Sequence, residues 1–157
     1  MKGFMDGYRL PQVEVRLYLR EAPALYSTKA LKDCDTAVEV MRDELKEMSR
    51  ECMMVVNLDN NLRPINYVVA ATGTINMTAC YVREIFKSAI LSNAFAVIMF
   101  HNHPSGDPEP SEADFDTTQK VVEAGKLLGI PVHDHIVAAG ISGEIYSIRS
   151  EHPELFG

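Results

Sequence analysis

An apolar run, Ala94 to Phe100, passes without a break into His101-Asn102-His103-Pro104-Ser105-Gly106-Asp107-Pro108-Glu109-Pro110-Ser111-Glu112-Ala113-Asp114. That order predicts a strand whose C-terminal end is a polar site. Side chains at i and i+2 of a strand share a face, so His101 and His103 can turn toward one ion. Ten residues separate His103 from Asp114, enough for a tight loop and a return. Pro104, Gly106, Pro108 and Pro110 restrict that loop, so less chain entropy is lost when the site orders. Two neutral imidazoles and one carboxylate are a ligand set for catalytic zinc that leaves a fourth position open for water. They are also the facial triad of non-haem Fe(II) sites, and ligand type alone does not separate the two.

Plainer readings compete. Ser111-Glu112-Ala113-Asp114 is a helix start, with Ser111 as N-cap and Asp114 as the acidic residue three positions on. The two roles are compatible, since a capped first turn fixes a ligand carboxylate. The helix reading leaves His101 and His103 unexplained. The letters His-Asn-His do not make an HNH nuclease, whose residues are dispersed over a ββα unit. Asp107 can support a ligand histidine or form a turn before Pro108. His133 and His135 share a strand face, but no third ligand stands at matching spacing. His135 reads as structural or as support for the site, and His133 and His152 read as exposed.

Periodicity supplies the frame. Val13, Val15, Leu17 and Leu19 alternate with Glu14, Arg16, Tyr18 and Arg20 between Pro11 and Pro23. This is a half-buried strand that can pair with the core sheet or with another subunit. Thr36 or Asp35 caps a helix whose apolar stripe is Val38, Met41, Leu45 and Met48. Cys52 to Leu58 and Ile65 to Ala71 form a hairpin around Asp59-Asn60-Asn61. Thr78 caps a helix to about Ser92, and Ala94 to His101 is the metal strand. Ser111 opens a helix that stops at Gly129. Ile130-Pro131 leads into a strand through Ala138. Gly140 and Gly143 turn the chain into Glu144 to Ile148, and the tail from Ser150 is loosely held. Strands alternating with helices, interrupted by one hairpin, predict an α/β fold: a mixed β-sheet flanked by helices.

At 157 residues and 46% hydrophobic content, the chain suits one domain with a real core. No apolar run reaches the ~20 residues of a membrane helix. The segment Met1 to Asp6 lacks the apolar core of a secretory signal. Cys34, Cys52 and Cys80 are odd in number and scattered, which points to a reducing, cytoplasmic setting. With a net charge of -7 and no cluster of Lys and Arg, nucleic acid is not indicated. A homodimer is allowed and undecided.

His-x-His-Pro followed by Ser and Asp at this spacing resembles the JAMM motif of the JAB/MPN metalloprotease superfamily. The longer string resembles its RadC-like branch, as do Gly73-Thr74-Ile75-Asn76, Arg83-Glu84-Ile85-Phe86 and Asp134-His135-Ile136 in that order. The resemblance covers roughly Asp35 to Ile148. It departs at Tyr81-Val82, where the family often has His-Pro. Too few residues precede Asp35 for the helix-hairpin-helix segment of longer relatives, so their DNA-binding role is not carried over. The resemblance implies residues 1–34 as an N-terminal extension with a β-strand, 35–150 as a RadC-like MPN/JAMM domain and 151–157 as a tail. It implies a cytidine-deaminase-like sandwich, although the His/Cys/Cys ligands and His-x-Glu signature of deaminases themselves are missing.

The resemblance also implies one Zn2+ per chain on His101, His103 and Asp114. Glu51, just before the first core strand, takes the place of the general base, with Glu47 and Glu84 as weaker candidates. Ser111 takes the place of a donor to the oxyanion. Water acidified toward a pKa of ~7 by the metal would attack a peptide or isopeptide bond in a peptide or protein substrate. The competing function is a DNA-repair or mobile-element accessory module of RadC type, which need not be enzymatic.

Overall fold

The structure is a computed structural model that describes residues 11–20, 27, 29–73, 82–140 and 142–157. Among the described residues, five strands make one sheet: β1 (Cys52–Leu58), β2 (Pro64–Thr72), β3 (Ala96–His103), β4 (Val132–Ala139) and β5 (Ile145–Ser147). Their order is β2-β1-β3-β4-β5. β1 is antiparallel to both β2 and β3, β3 is parallel to β4, and β5 is antiparallel to β4. The helices are α1 (Cys34–Glu47), α2 (Val82–Leu91), α3 (Glu112–Leu128) and α4 (Ile148–Glu151). The sheet is mixed and helices cover both faces, so the α/β architecture expected from periodicity is the one observed.

Pleating sorts the strand residues between two cores. Ile98 and Phe100 of β3 join Met54 and Val56 of β1 under Val38, Met41 and Leu45 of α1. Val97 and Met99 face the other way, with Met53 and Val55, under Ile85 and Phe86 of α2 and Val121 and Val122 of α3. β1 lies between two strands and under helices on both faces, so every residue from Cys52 to Leu58 is buried. That placement explains the continuous apolar run Cys52 to Val56 in an antiparallel strand. Continuing the alternation along β3 puts His101 and His103 on the α3 face and Asn102 on the α1 face. The α3 crossover between parallel strands returns its N-terminus to the end of β3, where ligand sites of α/β sheets gather.

Several boundaries differ from expectation, each for a local reason. The alternating segment Val13 to Leu19 forms no strand: residues 11–20 carry no regular structure, and Val13 and Leu19 are 77% and 67% exposed. Alternation supplies an amphipathic ribbon but not the edge it must pair with. Helix α1 is capped by Asp33, not Thr36 or Asp35. Asp33 Oδ1 accepts from the Thr36 N–H at 2.9 Å and from the Thr36 hydroxyl at 2.6 Å, so Thr36 serves the cap rather than being it. β3 runs two residues further than expected because β4 pairs with it as far as His103. The tail is held: α4 is followed by a short 3-10 helix, Pro153–Leu155, and Ile148 and Phe156 are buried. Thr78 lies outside the described residues. Ser111 and Gly129 cap α3 as expected, Gly129 in the left-handed region at φ 71°.

Candidate metal centre

The residues singled out around His101 converge at the C-terminal end of β3. His101 Nε2 lies 2.7 Å from Glu51 Oε1, and His101 Nδ1 lies 3.0 Å from Asp114 Oδ1. His103 Nε2 lies 3.6 Å from Asp114 Oδ2. Glu51, His101 and His103 offer ligand atoms that all lie within 4.8 Å of one another. The antiparallel register, in which Met53 faces His101, explains how Glu51 reaches them from just before β1. A cleft of about 790 Å³ opens on the cluster, lined by Ser49, Arg50, Glu51, Gly73, His103, Pro104, Ser105 and Ser111.

Whether these residues suit a cation can be judged from their unmet bonds. His101 Nδ1 and Asp114 Oδ1 are both buried, only 3.0 Å apart, and among the described residues neither has a well-aligned hydrogen-bond partner. Such a pair is costly unless something electropositive serves both atoms. The Nδ1 of His103 is tied to the Asp107 main-chain carbonyl at 2.8 Å. A carbonyl only accepts, so Nδ1 carries a proton, and Nε2 is the nitrogen left turned toward Asp114 and available to a cation. Imidazole lone pairs beside two carboxylates are a donor set suited to a divalent ion.

The electrostatics follow from the same contacts. Burial pushes the Asp114 carboxyl up, but the imidazoles of His101 and His103 and the Ser111 hydroxyl outweigh it. They hold Asp114 well below the usual carboxylate range. The Asp114 carboxylate in turn pushes the His103 imidazole up, against the pull of burial. Burial, with the neighbouring His101, pushes His135 down from 6.5 to about 3. The unfolded chain therefore takes up a proton at His135 that the folded chain refuses. This contribution to stability is lost as pH falls below ~6.5, by at most ~1.4 kcal/mol per pH unit. Urea denaturation in steps from pH 7 to 4 should show that slope, and His135→Asn should remove this part of it.

Ser111 is the N-cap of α3 and forms a full capping box with Asp114. Its hydroxyl donates to Asp114 Oδ2 at 2.7 Å, and its N–H donates to the same oxygen at 2.8 Å. The cap and the cluster are thus one structure. Asp107 supports His103 through its main-chain carbonyl, while its carboxylate accepts from the Glu109 N–H at 2.9 Å to form the turn. Glu84 pairs with Lys87 on the outside of α2. His133 is partly buried, with Nε2 3.1 Å from the Lys32 carbonyl. His152, expected to be exposed, is partly buried against Phe115 and 3.1 Å from the Tyr146 hydroxyl.

Two supporting residues carry no signal of their own in the sequence. Asn102 stands between the two histidines, and it is fully buried on the opposite face. Its Oδ1 accepts from the Cys52 N–H at 2.8 Å, and its Nδ2 donates to the Arg50 carbonyl at 2.8 Å. It therefore pins the backbone on either side of Glu51. Asn102→Ala strands both groups and should cost about 2 kcal/mol or more, read as a lower urea midpoint. Thr118 is the other: it joins the Asp114 main chain to His135.

The sheet and the cluster at its edge define an α/β domain with a candidate metal centre between β3 and the start of α3. The profile of the RadC-like JAB domain matches residues 31–153, and the chain belongs to that family. It is 40% identical over 112 residues to a UPF0758 protein of Methanosarcina barkeri, covering 71% of this chain and 48% of that protein. It is 42% identical over 120 residues to a UPF0758 protein of Haemophilus influenzae, covering 76% and 53%. The chain spans about half the length of the curated relatives it matches. Among the described residues, no helix is long and apolar enough to cross a membrane.

Proposed function

We propose that this domain is a zinc-dependent hydrolase, a metallopeptidase or isopeptidase of JAMM type, working in the cytoplasm on a peptide or protein substrate. His101, His103 and Asp114 would hold one zinc per chain. The observation that carries this reading is the buried pair His101 Nδ1 and Asp114 Oδ1, 3.0 Å apart and without a well-aligned hydrogen-bond partner among the described residues. When bound, the ion supplies a Lewis acid that acidifies water and polarises a carbonyl.

The protein's own groups would do the rest. Glu51 borders the cleft and is close enough to the cluster to take a proton from water and return it to the leaving amine. Ser111 lines the same cleft. Rotation about its Cβ–Oγ bond frees its proton for a developing oxyanion, and its N–H still holds Asp114 Oδ2. Asn102 keeps Glu51 in register, and the Asp107 carbonyl keeps Nε2 of His103 turned to the site.

The test is a screen of peptides and isopeptide-linked conjugates against the zinc-loaded protein. Cleavage that a chelator abolishes and added Zn2+ restores is the expected result. Cleavage that survives complete metal removal would sink the reading.

A further inference from the structure

We propose that His135 and Thr118 form a positioning strut for Asp114, so that the metal centre extends beneath its ligands from the sheet into α3. The inference rests on Asp114 being a ligand. Thr118 follows Asp114 by one turn, and its hydroxyl donates to the Asp114 main-chain carbonyl at 2.7 Å. A hydroxyl has one proton. With that proton so placed, the 2.6 Å contact between Thr118 Oγ1 and His135 Nδ1 requires the imidazole to donate. The chain then runs one way, from His135 Nδ1–H to Thr118 Oγ1–H to the Asp114 carbonyl. Thr118 and His135 are both fully buried.

Two further observations tie the strut to the site. His135 Nε2 is buried with no hydrogen-bond partner among the described residues. An apolar side chain would avoid that unmet acceptor, so the ring's hydrogen-bonding reward comes through Nδ1 and Thr118. The same ring lies 6.3 Å from that of His101 and nearly parallel to it, at 22°. Asp114 is thus held at both ends. The capping box fixes Oδ2, the strut fixes the main-chain carbonyl, and Oδ1 is left facing His101. Thr118 and His135 touch neither substrate nor the reacting atoms in this scheme. They act through Asp114, as outer partners of metal ligands do.

Cobalt(II) titration of the full chain, followed by visible absorption, tests the strut apart from turnover. Thr118→Val keeps the volume and removes both bonds. It should bind cobalt ~10–100-fold more weakly than wild type, with an altered spectrum. Thr118→Ser should restore both properties. His135→Asn, whose amide N–H stands in for Nδ1–H, should outbind His135→Leu. The metal-free thermal midpoints of the variants should not track these losses. Equal affinity in Thr118→Val, Thr118→Ser and wild type overturns the strut while leaving the metal site intact. If Thr118→Val does not fold, equal affinity in the two His135 variants and wild type overturns it in the same way. A wild-type protein that takes up no cobalt overturns the ligand reading itself, and the strut with it.

Discussion

Glu51→Gln should lower turnover of the zinc-loaded domain by ~10²–10⁴-fold, the usual loss when a general base is removed. Metal content should stay close to that of wild type. The substitution keeps the side chain's length and its capacity to bond His101 Nε2, now 2.7 Å from Oε1, but removes the proton acceptor. The paired measurement matters because Glu51 is also near enough to His101 and His103 to serve as a ligand. Turnover lost with metal retained identifies the base. Turnover and metal lost together identify a ligand, and the role falls to another group. Full activity in Glu51→Gln excludes Glu51 from the chemistry.

His103→Ala should reduce bound zinc to background and abolish turnover, while the domain stays folded. His103 ends β3, its side chain is 15% exposed, and outside the cluster it is tied to the Asp107 carbonyl. Removing it opens the cleft without opening the core. His101→Ala is a poorer test, because that ring is fully buried between Glu51 and Asp114 and its loss leaves a cavity. Elemental analysis and a thermal melt on the same preparation of His103→Ala separate the outcomes. A cooperative melt near that of wild type with no zinc is expected. Full zinc occupancy in this variant would remove His103 from the ligand set.

What was legible in the sequence was local. The period of two along β3 predicts which side chains share a face, and His101 and His103 do. Ser111 to Asp114 spells a capping box, and that box holds a carboxylate against both imidazoles. The hairpin β1–β2 follows from apolar runs around Asp59-Asn60-Asn61. What was not legible depends on pairing across the fold. Asn102 works on the far face of β3, on a backbone 50 residues away, and nothing beside it in the sequence says so. Thr118 acquires its role only when α3 lies against β4. The ribbon Val13 to Leu19 shows the converse. Its alternation is real, but none of the described strands pairs with it, and the segment lies exposed.

A metal ion among His101, His103 and Asp114 underlies every role assigned above. Crystals of zinc-loaded protein, measured on both sides of the zinc absorption edge, test it most directly. One anomalous peak per chain is expected, with ring nitrogens of both histidines and an Asp114 oxygen at ~2.0–2.2 Å. A fully metallated preparation whose peak lies elsewhere, or a saturating soak that leaves these three groups without one, would contradict it.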